Sequence, residues 1–131
     1  MRNDFDPTRI EDKVIEAVKG LGVSANVFDD RPRSSTLDLT DFVVCKVTGS
    51  VSDQLTYGQC TVSIHLFARD VRNIKNREKL SIMQRKVAEG LPLSLAGMII
   101  RGNPRVVGDT SDNSGYHVRI INYRVTLKVT D

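Results

Sequence analysis

Tryptophan is absent from this chain of 131 residues, cysteine occurs only twice, and aromatic residues make up just 5% of the sequence. No run of 18 apolar residues occurs, so the sequence predicts no membrane-spanning helix and no membrane partner. Hydrophobic residues at 40% and charged residues at 27% are ordinary for a globular protein. We therefore expect residues 1–131 to form a single domain that needs no cross-link to hold its core together.

The N-terminus also lacks the apolar run of a secretory signal and carries Asp4 and Asp6 in its place. We therefore expect the protein to be made in the cytoplasm. Cys45 and Cys60 lie within apolar strand patterns and not in turns. In a reducing compartment we expect them to be free thiols that fill the core, in preference to a disulfide.

Motifs of the common enzyme classes are missing. The sequence contains no G-x-S-x-G, no G-x-x-x-x-G-K-[ST], no G-x-G-x-x-G and no H-E-x-x-H. A nuclease that holds its metal with strand carboxylates would place an acid two residues before a strand lysine, but Val44 stands there before Lys46. We therefore expect no enzymatic activity and no cofactor.

Four potential zinc ligands are present, namely Cys45, Cys60, His65 and His117. Cys60 and His65 are five positions apart on one predicted strand, so their side chains would point to opposite faces. No closely spaced pair of zinc-finger type occurs. The polar stretch 109–115 also fails as a calcium loop, because serine and isoleucine occupy the positions that need glycine and a carboxylate. The sequence therefore predicts no metal site.

A long strand followed by a long helix, between Tyr57 and Gly90, is the strongest pattern in the chain. Apolar residues first alternate with polar ones, which predicts a strand with one buried face. Phe67 is the apolar exception on the polar face. From about Asn73 the apolar residues recur at helical spacing, which predicts a helix that Gly90 ends.

The N-terminal third predicts a helix and a short strand. The Asp-Pro pair at 6–7 is typical of an N-cap and first helical position, and Gly20 or Gly22 should end the helix. A short strand is expected within 23–28. The polar stretch 31–40 should be a loop.

The remaining strands should pair through polar loops. A strand at 42–47 and a loop at 49–56 predict an antiparallel hairpin with the long strand. A brief strand is expected at 98–101, and Pro104 should lie at a sheet edge or bulge because proline has no N–H to donate. The stretch 109–115 should be the loop of a second hairpin.

The alternation of apolar and polar residues is interrupted in the last predicted strand. Apolar residues fall on even positions up to Ile120 and on odd positions from Ile121. This slip predicts a β-bulge or sharp bend, or else a strand that crosses from one buried surface to another. The order of elements predicts an α+β fold, with an antiparallel β-sheet of mixed strand lengths and two α-helices packed on one face.

The charge is distributed unevenly although the net charge is only +3. Residues 1–41 hold nine acidic and six basic side chains, whereas residues 69–86 hold seven basic and two acidic ones. On a helix starting near Asn73, four of the basic residues would lie within a sector of about 60°, namely Arg72, Lys75, Lys79 and Lys86. The side chains of that sector could simply be exposed to solvent beside the apolar stripe of the helix. They could also contact an acidic surface or a phosphate backbone.

The order of these elements resembles a known family. An N-terminal helix is followed by a strand pair whose second member ends in Ile-His-Leu-Phe-Ala-Arg at 64–69, then by a basic helix and a C-terminal strand hairpin. This arrangement is similar to the tail-completion proteins of long-tailed phages, also called tail-terminator or minor head–tail connector proteins. The resemblance covers most of the chain. It implies a virion structural protein of a phage or prophage, made in the bacterial cytoplasm.

Members of that family assemble as rings, commonly hexameric, that cap the tail tube and join it to the head, with DNA passing through the lumen. The resemblance thus implies a homo-oligomer whose partners are tail tube and head connector proteins, with non-specific DNA contact. A ring requires two different surfaces of each subunit to meet. The acidic N-terminal third and the basic second helix would provide them.

Two groups of residues are the expected contacts. The residues expected to face a neighbouring subunit or DNA are Arg69, Arg72, Lys75, Arg77, Lys79 and Lys86. The residues expected to dock on tail or connector partners, in the loops 49–56 and 109–115, are Asp53, Gln54, Asp109, Asp112 and Asn113. The alternative function is a small basic nucleic-acid-binding or regulatory module that uses the same helix.

Overall fold

Two helices and five strands make up the part of the chain that the computed structural model describes, which is residues 7–30, 39–53, 57–94, 98–112 and 114–128. In chain order they are α1 (Pro7–Gly20), β1 (Val27–Phe28), β2 (Asp41–Asp53), β3 (Tyr57–Arg69), α2 (Arg77–Ser94), β4 (Met98–Ser111) and β5 (Tyr116–Lys128). α1 starts at Pro7 and ends at Gly20, as predicted, and the N-cap prediction for Asp6 lies outside the described residues.

The strands form one sheet in the order β1-β2-β3-β5-β4. β1 runs parallel to β2, pairing Val27 with Val43, while the other neighbouring strands pair antiparallel. The sheet is therefore mixed, and the expectation of an antiparallel sheet is wrong at this edge. The connection 29–40 explains the difference, because it has the length of about a dozen residues that a parallel crossover needs.

The main core lies between the two helices and one face of the sheet. Both helices contribute their apolar stripes to it, and β3 contributes the residues of one parity, as predicted. Burying each valine, leucine, isoleucine or methionine side chain contributes about 1.5–3 kcal/mol. The principal members are Ile10, Val14, Val18, Cys60, Val62, Ile64, Leu66, Ala68, Leu80, Met83, Val87 and Leu91. The α+β class with both helices on one face is confirmed.

The two cysteines contribute to this core as free thiols, as expected. Burial raises the pKa of Cys45 to about 12 and that of Cys60 to about 11. Both cysteines are therefore neutral thiols at neutral pH, and thiolate is the reactive form.

A second apolar cluster lies on the opposite face of the sheet and accounts for Phe67. Phe42 stacks on Phe67 with ring centroids 4.3 Å apart and meets Tyr116 edge-on at 5.2 Å. The Tyr116 hydroxyl donates to the carbonyl of Leu39 at 2.7 Å, so its polar atom is satisfied. We call the side of the sheet that carries this cluster the outer face. Phe67 therefore interrupts the alternation of β3 because it is buried in this second cluster.

β5 pairs with β3 without a break from Tyr116 to Lys128. The predicted bulge near Ile120 is therefore wrong, and the alternative interpretation is right. Tyr116 belongs to the outer cluster and Ile121 to the main core, so the strand is buried on one face at its start and on the other further along. The extra residue lies instead in β4, between Val107 and Thr110.

β2 and β4 are longer than predicted, because backbone pairing continues through polar residues. β2 extends through 49–53, which was expected to be loop, with a register shift after Thr48. β4 takes in 109–111, also expected to be loop, and Pro104 lies on this edge strand beside a register shift, as predicted. The rest of the first loop, 54–56, and most of the loop at 31–40 lie outside the described residues.

α2 starts at Arg77, later than the predicted start near Asn73, and ends at Ser94, beyond the predicted stop at Gly90. The Asn76 side-chain oxygen accepts a hydrogen bond from the Lys79 backbone N–H at 3.1 Å, which is N-cap geometry. The stretch before Arg77 is therefore not helical.

Gly90 lies inside α2 because of packing. A Cβ built there would overlap Leu21 Cδ2, so the absent side chain lets α2 approach the end of α1. Glycine costs a helix about 1 kcal/mol relative to alanine. The prediction that Gly90 ends the helix is wrong for this reason.

The close approach predicts a coupling between the two positions. In a Leu21→Ala background, Gly90→Ala should raise the free energy of unfolding by about 1 kcal/mol, since only helix propensity changes. In the wild-type background, overpacking against the partly exposed Leu21 side chain should offset most of that gain, by about 1 kcal/mol. Urea unfolding of the four proteins of this double-mutant cycle measures the coupling, and additive effects would contradict the contact.

Candidate functional site

A tight hairpin at 71–74 separates β3 from α2 where the sequence predicted the start of a helix. Val71 and Ile74 pair as a β-bridge, and each backbone N–H donates to the other's carbonyl, at 2.9 and 3.0 Å. Arg72 and Asn73 have φ of 54° and 64°. Positive φ at both central residues is typical of a type I′ turn, so the chain reverses sharply here. We call residues 71–77 the tip segment.

The tip segment exposes two large apolar side chains. Val71 is 55% exposed and Ile74 is 69% exposed. Together with Arg72 and residues 75–78 they line an open recess of about 500 Å³. Arg72 and Arg77 are also exposed, and neither forms an ion pair with another residue that the structure describes. Arginine is enriched at protein–protein contacts, and the buried centre of such a contact is more apolar than the rest of the protein surface.

The hairpin at 71–74, within the tip segment, is held on both sides. Before it, the Asp70 backbone N–H donates to the carbonyl of Gly115 at 2.8 Å, and an Asp70 carboxylate oxygen lies 2.6 Å from His117 Nδ1. After it, Lys75 Nζ lies 3.5 Å from a carboxylate oxygen of Asp109. The exposed apolar pair is therefore presented in a defined position.

Asp109 is the anchor of this arrangement. At one point the two strands differ in length by one residue. Between two paired positions, β4 has Gly108 and Asp109, whereas β5 has only Arg119. A bulge of this kind re-aims a side chain. The Asp109 carboxylate accepts two hydrogen bonds from the Arg119 guanidinium, at 2.7 and 2.9 Å. Only 6% of its side chain is exposed.

Arg119 extends the network to α2. Its second terminal nitrogen donates to Ser81 Oγ at 3.2 Å and to Gln84 Oε1 at 2.9 Å. Hydrogen bonding from Arg119 holds the pKa of Asp109 below its usual range, against the opposing effect of burial. The same pairing raises the pKa of Arg119. The pair is charged at neutral pH and connects β4, β5, α2 and the tip segment.

The basic cluster predicted from the sequence is divided by the fold. Its three lysines have partners within the chain. Lys75 pairs with Asp109, Lys79 Nζ lies 3.0 Å from a carboxylate oxygen of Asp41, and Lys86 donates to the carbonyl of Gly22 at 3.2 Å. These lysines therefore help to hold the chain's own elements together.

The three arginines of the predicted cluster are exposed. Arg72 lies in the hairpin and Arg77 at the first residue of α2, while Arg69 lies on the outer face of the sheet. The single helical sector expected for the cluster is therefore wrong, because both Arg72 and Lys75 precede the helix.

The residues predicted to dock through loops are also separated. Asp53 is in β2 and Asp109 is in β4, while Gln54 and Asn113 lie outside the described residues. Asp112 holds the β4–β5 turn, because its carboxylate accepts from the backbone N–H of Ser114 at 2.8 Å and from that of Tyr116 at 3.1 Å. Asp109 and Asp112 thus have structural roles in their own hairpin.

The apolar pair and the Arg119 network were missed by sequence reasoning. Val71 and Ile74 are three residues apart, a spacing that also suits a helix. Asn73 was the available signal, since asparagine tolerates positive φ better than other residues with a side chain.

No group of three or more His, Cys, Asp or Glu side chains in the described ranges could hold a metal ion. No helix among these residues is long and apolar enough to cross a membrane.

Comparison with known proteins supports the fold alone. No protein-family model matches the chain, and no curated protein matches it. A solved structure whose name describes no function is similar, with a TM-score of 0.59 and 9% sequence identity. The match covers 100% of this chain and 99% of the other. At this identity the similarity indicates a shared α+β architecture across the whole chain.

Proposed function

We propose that this chain is a virion structural protein, a subunit of a ring that terminates the tail of a phage or prophage or joins the tail to the head. The order of elements that resembles the tail-completion family supports this proposal, and the α+β fold is consistent with it. The exposed tip segment is the observation that carries it. Its partners would be further copies of the chain together with tail tube and head connector proteins, and its location would be the virion.

The tip segment suits a contact between unlike surfaces. A ring is built when one surface of a subunit binds a different surface of the next, and the rotation closes. The pair Val71 and Ile74 can enter an apolar site on the neighbour, while Arg72 and Arg77 meet its carboxylates. Exposed carboxylates of the N-terminal third, such as Asp12 and Glu16 on α1, are suitable partners.

The backbone of the hairpin also favours a role in binding. A residue with a Cβ at positive φ costs about 1–2 kcal/mol, and Arg72 adopts this conformation. Strained positions of this kind cluster at functional sites, where the surrounding structure holds them in place. The bonds made by Asp70 and Lys75 on either side of the hairpin supply that support.

The basic helix gives less support to the alternative, a nucleic-acid-binding module built on α2. Lys79 pairs with Asp41 and Lys86 bonds to Gly22, so their charges are partly used within the chain. A ring subunit needs no such free row of cations on the helix.

Light scattering across a concentration series tests the proposal. The chain should form one discrete oligomer at low salt as its concentration rises, because a closed ring has a fixed number of subunits. Raising the salt should weaken the assembly, since the contact includes charges at its edge. A strict monomer at high concentration and low salt would contradict the proposal.

A further inference from the structure

The outer face of the sheet has a basic end, separate from the tip segment. Lys46, Ser63, Asn122 and Arg105 form one row across β2, β3, β5 and β4. Directly paired residues point to the same side of a sheet. Ser63 Oγ donates to Asn122 Oδ1 at 2.6 Å in the middle of this row. The two ends of the row are therefore cations, about 14 Å apart by the spacing of strands.

Arg124 adds a third cation beside this row. It lies two residues beyond Asn122 on β5 and so points to the same face as Arg105. Both arginines are exposed, and neither forms an ion pair with a residue that the structure describes. Diagonal neighbours on adjacent strands are about 7–8 Å apart, so the two guanidinium groups can act together. We call Lys46, Arg105 and Arg124 the outer-face cations.

Carboxylates are scarce on this side of the sheet. None of the strand residues whose outward side chains the structure describes is aspartate or glutamate. Asp30, just after β1, lies 3.5 Å from Lys46, but it is 80% exposed and the pair is a weak surface contact. The pKa of the neighbouring His65 is lowered first by burial and second by the Lys46 charge, which is consistent with this excess of cations. The outer face therefore has a positive potential at this end.

We infer that the outer-face cations bind the phosphate backbone of duplex DNA. Arg105 and Arg124 would each contact a phosphate, and Lys46 would contact a third across the sheet. The aromatic side chains of the outer cluster, Phe42, Phe67 and Tyr116, are buried, so they offer no stacking platform for single-stranded bases. Contacts to phosphate alone position a duplex without reading its sequence. This inference places DNA contact on the sheet and not on α2, and it does not depend on the ring.

Fluorescence anisotropy with a labelled 20-base-pair duplex tests the inference. Three phosphate contacts predict that binding falls with a log–log salt slope of about −2.7, or about 40-fold between 50 and 200 mM salt. Arg105→Gln combined with Arg124→Gln should reduce the slope to about −1 and weaken binding at least about 10-fold at 50 mM. Duplexes of unrelated sequence should bind equally.

The matched control is Arg9→Gln combined with Lys13→Gln, which removes two exposed charges from α1 on the other side of the sheet. It should leave the slope near the wild-type value. Equal losses from both double variants would overturn the assignment to the outer face, as would an absence of DNA binding at 50 mM salt. Polyglutamate is a test of the partner's identity. If it bound as tightly as the duplex and lost its binding in the Arg105→Gln, Arg124→Gln variant, DNA would be overturned as the partner.

Discussion

Replacing Asp109 by asparagine is expected to lower the free energy of unfolding by about 3 kcal/mol at pH 7. Asparagine keeps the shape of the side chain but removes the charge that pairs with Arg119 and Lys75. Arg119 is largely buried, and breaking a buried pair by removing one partner costs about 3–5 kcal/mol because the other charge is left uncompensated. Ser81 and Gln84 retain their hydrogen bonds to Arg119 and should limit the loss.

The Asp109 effect should depend on pH with a defined sign. Its folded-state pKa is depressed, chiefly by the hydrogen bonds from Arg119, so its contribution is fully present above the unfolded-state pKa. That contribution is lost as the pH falls through the folded-state pKa. Urea unfolding of wild type and Asp109→Asn between pH 7 and pH 2 should therefore show two stabilities that converge in acid.

Asp30→Asn is the control for this measurement. Asp30 pairs with Lys46 on the surface, where ion pairs contribute about 0–1 kcal/mol. A loss at Asp109 as small as that at Asp30, or a difference that does not change with pH, would contradict the anchoring role of Asp109.

The second expected result concerns assembly. Val71→Ser combined with Ile74→Ser should raise the dissociation constant of the oligomer by about 30-fold or more. Burying the exposed part of each side chain contributes about 1–2 kcal/mol, and each 1.4 kcal/mol corresponds to a factor of ten. The monomer should keep its stability within about 0.5 kcal/mol, because both residues are more than half exposed. Sedimentation velocity measures the first effect and urea unfolding the second.

Val106→Ser combined with Val107→Ser is the matched control for the tip segment. These valines are also exposed, at 44% and 41%, but they lie on the edge strand β4. Their replacement should leave the dissociation constant within a few-fold of wild type. Equal loss of assembly in both double variants would show that the contact is not specific to the tip segment.

Much of the fold could be predicted because burial in a sheet repeats every two residues. The alternation in β3 identified its core face, and Phe67 was recognised as the apolar exception on the other face, where the structure places the second cluster. The change in alternation at Ile120 reflected a feature of the structure, but the sequence could not show which of two features caused it. A bulge and a change of buried face produce the same sequence pattern, and only the continuous pairing of β5 with β3 distinguishes them.

The site was harder to predict because its geometry depends on contacts between distant parts of the chain. Lys79 seemed free on a helix, but its partner Asp41 lies far away in sequence. The position of Asp109 depends on a bulge that follows from strand pairing. A helical pattern extended back through Ile74 concealed the hairpin, since periodicity alone does not show which residues take positive φ.

Native mass spectrometry of the wild-type chain tests the central proposal most directly, because it counts subunits. A ring predicts a single dominant oligomer of fixed stoichiometry at assembly concentration, reduced to monomer by Val71→Ser combined with Ile74→Ser. A monomer at every concentration, or an open-ended ladder of masses, would contradict the ring.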